Sequence, residues 1–116
     1  MALTLENITF DCADAAALAD FWARLLERPV DPEASTGFAT VGRTAGTSPI
    51  LMFIQVPDKN PGKNVVHLDL HATALREQIE RAVALGAKHV ADFEEYGGRW
   101  ATLADPEGNL FDIAEG

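Results

Sequence analysis

The chain has 116 residues, 47% of them hydrophobic and 23% charged, with 9 basic against 18 acidic side chains and a formal charge of −9. That is one domain's worth of an ordinary globular composition, well away from the disordered class. With no basic stripe to meet phosphates, nucleic acid and anionic membrane surfaces are excluded as expected partners, and no apolar run nears the roughly 18 residues of a membrane span.

The single cysteine, Cys12, rules out an internal disulfide and a cysteine zinc cluster. No basic stretch followed by an apolar one opens the chain, so a cytoplasmic protein is the default expectation.

In chain order, Asn7-Ile8-Thr9-Phe10-Asp11-Cys12 alternates, with Ile8, Phe10 and Cys12 on an apolar face and Asn7, Thr9 and Asp11 on a polar one. That alternation predicts a half-buried strand, in which Cys12 is a small core residue. Asp14 is a plausible N-cap for a helix whose stripe is Leu18, Phe21, Trp22, Leu25 and Leu26, ended by Arg28 and Pro29. At that spacing Phe21 and Trp22 read as core. Val30 opens an irregular stretch, Phe38-Ala39-Thr40-Val41 is a short strand, and residues 50–56 form a longer one. In that strand Leu51, Phe53 and Gln55 share one face, and Met52 and Ile54 the other. Residues 58–64, rich in turn formers, read as a linker.

The second half repeats the order. Val65-Val66-His67-Leu68-Asp69-Leu70-His71 alternates like the first strand, and His67 stands sixty residues after Asn7. Its polar face carries two imidazoles and a carboxylate, groups that need water, a ligand or a metal to meet them. A helix over 74–85 follows, with Leu75, Ile79, Ala82, Val83 and Leu85 as its stripe and Gly86 as its cap. Then come a strand over 89–93, a hairpin at Gly97-Gly98, a strand over 99–103, the turn Asp105-Pro106-Glu107-Gly108-Asn109 and a last strand over 110–114. The chain therefore reads as one domain made of two copies of a strand–helix–three-strand unit, residues 1–57 and 65–116, that complete one core together.

This order resembles the vicinal oxygen chelate superfamily, the group of glyoxalases, bleomycin-resistance proteins and extradiol dioxygenases. The resemblance is carried by the Asp14 helix entry with Phe21-Trp22, the run from Asn64 to Leu70, the Leu85-Gly86-Ala87 helix end, and Asp105-Pro106-Glu107-Gly108-Asn109 before Asp112. It implies an α+β fold of two tandem βαβββ units forming a cupped mixed sheet, with helices on the outer face. It also implies a small-molecule ligand in the cup and a homodimer.

The family's metal enzymes hold a divalent ion on the first and last strands of each repeat. Carried over residue by residue, those positions fall on Asn7, on Gln55 or Phe53, on His67 and on Asp112. Neutral amides are weak donors for first-row ions such as Zn, Ni, Mn or Fe, so the resemblance implies a weakened metal site resting on His67 and Asp112 with Gln55. Asp69 and His71 share the His67 face. Asp69 is a candidate ligand contact, although it and Asp11 also read as partners of neighbouring strands. His71 and His89 read as surface or loop residues. One of Arg99 and Trp100 is expected to touch a ligand, the alternative being a packed Trp and a solvated Arg.

Two functions follow, beside a third reading as a structural or regulatory domain whose cup is vestigial. One is metal-free capture of a small molecule, after the manner of the bleomycin-resistance proteins. The other is a divalent-metal-dependent lyase, isomerase or dioxygenase in which His67 and Asp112 also serve as an acid–base pair.

Overall fold

A computed structural model describes residues 5–57, 64, 66–95 and 97–115. The chain divides into two compact units, Met1–Asn60 and Pro61–Gly116. Each is a mixed sheet with one helix, the α+β class that the sequence implies. The expected linker at 58–64 lies outside the described residues except for Asn64.

The first unit runs β1 (Asn7–Cys12), α1 (Ala15–Leu26), β2 (Phe38–Val41) and β3 (Ile50–Gln55). The sheet order is β1-β3-β2, with β1 parallel and β2 antiparallel to β3. Where a second strand of the repeat would stand, the chain makes only the isolated bridge Val30↔Val41. Asp14 caps α1 by accepting from the Ala17 amide at 3.1 Å. The helix stops at Glu27, whose left-handed backbone (φ 57°) turns its amide onto Ala23 and Arg24 before Pro29 is reached. Trp22 (1% exposed) and Phe21 are core, as their spacing predicts. Phe10 lies 5.5 Å from Trp22 and stacks on Phe53 at 5.0 Å, centroid to centroid. Each such side chain contributes about 1.5–3 kcal/mol by burial.

The loop between α1 and β2 is held by a buried carboxylate. Asp31 accepts from Thr40 Oγ1 at 2.6 Å and from the amides of Arg43 and Thr44 at 3.0 and 2.9 Å. Burial pushes its carboxyl up, but the bonds from Thr40, Thr44 and Arg43 outweigh this and hold it below 3.8.

The second unit runs β4 (Leu68–Ala72), α2 (Leu75–Leu85), β5 (Lys88–Glu95), β6 (Gly98–Ala104) and β7 (Leu110–Glu115). Its sheet order is β4-β7-β6-β5, with β4 parallel to β7 and the other pairs antiparallel. The strand expected from Val65 begins only at Leu68. Val65 is outside the described residues and Val66 is exposed. The reason is Asn64, whose side chain bonds both the amide (2.8 Å) and the carbonyl (3.2 Å) of Leu110. Its amide takes the place next to β7 that backbone would otherwise fill, so the ladder starts later.

Gly86 ends α2 as expected, at φ 125°. Leu75 and Ala82 face inward, whereas Val83, expected in the stripe, is 45% exposed on the helix flank. The Asp105 turn is clamped from inside. Asp105, 3% exposed, accepts from the amides of Glu107 and Asn109 at 2.9 Å each and from Asn109 Nδ2. Gly108 supplies the positive φ (87°), while Asn109 works through its side chain.

Candidate functional site

The β4-β7-β6-β5 sheet has two unlike faces. Leu68, Leu70, Phe111, Ile113, Ala101 and Leu103 alternate onto the side covered by α2. Ladder partners put their side chains on the same side of a sheet, so the registers define the other, open face row by row. Asp69 (β4) stands opposite Asp112 (β7), which stands opposite Thr102 (β6), followed by Ala91 (β5). One row along are His71, Ala114, Trp100 and Phe93. His67 precedes β4 and joins this face by parity with Asp69.

Three of the expected site residues come together here. A ligating atom from each of His67, Asp69 and Asp112 lies within 4.8 Å of the others. His67 Nδ1 is 3.1 Å from Asp69 Oδ1. Thr102 Oγ1 donates to Asp112 Oδ1 at 2.6 Å and fixes that carboxylate against β6. Asp69 and Asp112 sit directly opposite each other, a like-charge placement that costs energy unless a cation or a proton intervenes. One imidazole and two carboxylates form a donor set suited to a first-row divalent ion, so the residues present fit the metal that the family implies. Thr102 was not foreseen; a threonine two places after Trp100 gives no signal until the β6–β7 register is known.

Trp100 and Arg99 separate. Trp100 lies on the open face and stacks on Phe93, with ring centroids 5.4 Å apart and planes 17° apart. Arg99 alternates to the other face, where it pairs with Glu115 at 3.8 Å in a solvent-exposed contact worth little. His71 is a strand residue of the open face, not a loop residue, and His89 is held to Asp92 at 2.7 Å on β5.

In the first unit the β1–β3 register changes the expected ligand set. Phe10 pairs with Phe53 and Cys12 with Gln55, so Phe53 and Gln55 belong to the α1 side of the sheet and not to the side of Asn7. Phe53 is fully buried against Phe10, and Gln55 donates to the Ala13 carbonyl at 2.9 Å. On the Asn7 side β3 presents Ile50, Met52 and Ile54, which carry no oxygen or nitrogen donor. Asn7 Oδ1 is buried and has no hydrogen-bond partner among the described residues.

A cavity of about 490 Å³ opens between α2 and the β5–β6 hairpin, lined among others by Leu75, Ile79, His89 and Arg99. Phe93 and Trp100 also line it, and the His67, Asp69 and Asp112 group is the better candidate because its donors converge. No helix among the described residues is long and apolar enough to cross a membrane.

Comparison with solved structures gives matches over nearly the whole chain. A glyoxalase/bleomycin resistance protein/dioxygenase family enzyme from Burkholderia phytofirmans PsJN superposes with a TM-score of 0.79 at 20% identity, covering 97% of this chain and 98% of that one. The fosfomycin resistance protein FosX from Listeria monocytogenes gives 0.77 at 17% identity, covering 100% and 95%. A bleomycin-binding protein complexed with bleomycin gives 0.65 at 20% identity, covering 99% of each chain. At these identities the likeness is one of fold. No curated protein sequence matches the chain. The glyoxalase-like domain model matches residues 7–114, nearly the full length, and the chain belongs to that family, within the vicinal oxygen chelate superfamily.

Proposed function

We propose that the protein binds a small oxygen-bearing molecule on the open face of the second unit, through a divalent ion held by His67, Asp69 and Asp112. The observation that carries the reading is the convergence of one imidazole and two carboxylates within 4.8 Å. When bound, a divalent ion supplies Lewis-acid polarisation of ligand oxygens, the chemistry that lyase, isomerase and dioxygenase reactions of this family's kind require. The chain's own part is to orient the donors. Thr102 holds Asp112, and the 3.1 Å contact with Asp69 sets the His67 ring. Trp100 and Phe93 supply an apolar wall beside them.

One observation favours a second reading, metal-free capture of a cationic molecule. Two carboxylates, Asp69 and Asp112, stand opposite each other in an acidic chain and attract a cation. A bleomycin-binding protein is among the structural relatives. A cytoplasmic homodimer completes the proposal, and light scattering on the purified protein tests the dimer.

Thermal unfolding of chelator-treated protein, with and without Mn²⁺, Ni²⁺, Zn²⁺ or Fe²⁺, separates the two readings. A native-state binder at a hundred times its Kd adds about 2.7 kcal/mol to stability. A metal-dependent rise in Tm that His67→Ala and Asp112→Ala abolish supports the metal site. If no ion moves the transition, the metal reading falls and cationic ligands become the ones to screen.

A further inference from the structure

We infer that the cavity of about 490 Å³ between α2 and the β5–β6 hairpin is a second binding site, and that it takes a basic α-amino acid, a molecule with one carboxylate and two cationic groups on an aliphatic chain. The inference is independent of the metal reading, since none of His67, Asp69 and Asp112 lines this cavity.

The opening follows from how little α2 covers. Leu75 and Ala82 are the buried residues of the helix, and every residue of β5 is exposed except the half-buried Ala91. Most of β5 therefore stands clear of the helix. The space left between them is within the range of about 300–1,000 Å³ usual for small-molecule sites.

The charges come from both walls. Arg76 and Glu80 stand on α2. On β5, Asp92 is opposite Ala101 and Glu94 is opposite Arg99, so parity puts these side chains on the α2 side of the sheet. Two of the charges are already answered. Asp92 holds His89 at 2.7 Å, and Arg99 lies 3.8 Å from Glu115. The side chains of Arg76, Glu80 and Glu94 make no ion pair or hydrogen bond among the described residues. Arg76 and Glu80 are one helical turn apart, but the cation is nearer the N-terminus, the less favourable order for such a pair.

What remains is one cation and two carboxylates beside the apolar side chains of Leu75 and Ile79. A metal ion does not suit them. The ligating atoms of this cavity do not gather in threes within 4.8 Å, as those of His67, Asp69 and Asp112 do. Separated charges call for a ligand whose own charges are separated. A diamine would leave Arg76 facing a cation, and a neutral amino acid would leave one carboxylate unmet. A basic amino acid meets all three, with its carboxylate on Arg76, its cationic groups on Glu80 and Glu94, and its methylenes on Leu75 and Ile79. The totals agree as well. Two arginines against three carboxylates leave the lining with one negative charge, and the ligand brings one positive.

The test is a proton NMR titration of chelator-treated protein with L-lysine at fixed pH and ionic strength. The chain has three histidines, and His89 is the one that lines the cavity, so its ring signals, assigned by their loss in His89→Gln, report on the site. The expected result is a saturable shift of the His89 signals with a Kd of about 1 mM, as suits contacts at exposed charges. His67 and His71 should stay in place. L-norleucine, which lacks the side-chain ammonium, and cadaverine, which lacks the carboxylate, should each bind about tenfold more weakly. Arg76→Gln should weaken lysine about fivefold and leave cadaverine no weaker, whereas Glu94→Gln should weaken both. Both positions are exposed, so neither variant is at risk of unfolding. No saturable shift of His89, or a shift of His67 in its place, overturns the site. Cadaverine or norleucine binding as tightly as lysine, or indifference to both substitutions, overturns the assignment of the ligand.

Discussion

Thr102→Val is the sharpest probe of the proposed metal site, because it leaves all three donors untouched. Valine matches threonine in shape and suits a strand, so the substitution removes little besides the hydroxyl. What is lost is the 2.6 Å bond to Asp112 Oδ1, a neutral donor on a carboxylate that is half-buried between β4 and β6. A hydrogen bond to a charged group contributes about 1.5–3 kcal/mol when well buried, and partial exposure puts this one near 1 kcal/mol of folding stability. For a chain of this length that is about 4 °C in Tm. The larger effect is on the ion. Removing a bond that orients a ligand typically weakens metal binding about 10- to 100-fold, which is about 1.4–2.8 kcal/mol. Calorimetric titration of chelator-treated protein with Mn²⁺ measures that loss, and urea unfolding measures the stability change separately. Unchanged Mn²⁺ affinity in a folded Thr102→Val protein would show that Asp112 is not a ligand held by Thr102, and would refute the reasoning.

Asp31 gives a pH signature. Its native carboxyl titrates below the 3.8 of the unfolded chain, so its contribution is full above that value and is lost as pH falls through the lower native one. Urea midpoints across this acid range should drop more steeply for the wild type than for Asp31→Asn. Asp105→Ala leaves the Glu107 and Asn109 amides without their buried acceptor, and should cost about 3–5 kcal/mol in urea unfolding. A cost below about 1 kcal/mol would mean that water replaces the carboxylate.

The elements of this fold are legible because its strands alternate and its helices are punctuated by Asp14 and Gly86. The site is only half legible. Residues 50–54 are apolar on both faces, so periodicity alone does not say which face meets α1. A ligand assignment that follows the one polar side chain, Gln55, therefore lands on the side of β3 away from Asn7. The convergence of Asp69 with Asp112 is hidden for another reason. It depends on the register of two strands some forty residues apart, which no local pattern encodes. The same holds for Arg99 and Trp100. Parity separates them at once, but which of them faces Asp112 is fixed only by the β6–β7 pairing. Asp31 reads as one more polar loop residue, because its partners stand nine to thirteen positions away.

The two units divide the work, and this makes a counter-intuitive outcome testable. Seven residues of α1 are buried, against two of α2. The second unit instead keeps an open face on which His67, Asp69 and His71 are exposed while Thr102 and Asp112 are half-buried. Substitutions at its exposed positions usually change stability by less than about 0.5 kcal/mol, so a functional loss there is not a folding loss in disguise. Asp69 is the telling case. Its side chain is 70% exposed, and its charge stands directly opposite Asp112. Asp69→Asn keeps the size and one acceptor oxygen for His67 while removing that repulsion. Without metal the variant should be a few tenths of a kcal/mol more stable than the wild type at low salt, and the gain should fade as salt screens the pair. With saturating Mn²⁺ the order should reverse, because the wild type gains stability from the ion and the variant has lost a donor. A site built for a cation has this crossing of the two stabilities as its mark. If Asp69→Asn is less stable without metal, the two carboxylates do not repel, and the argument from their placement fails with them.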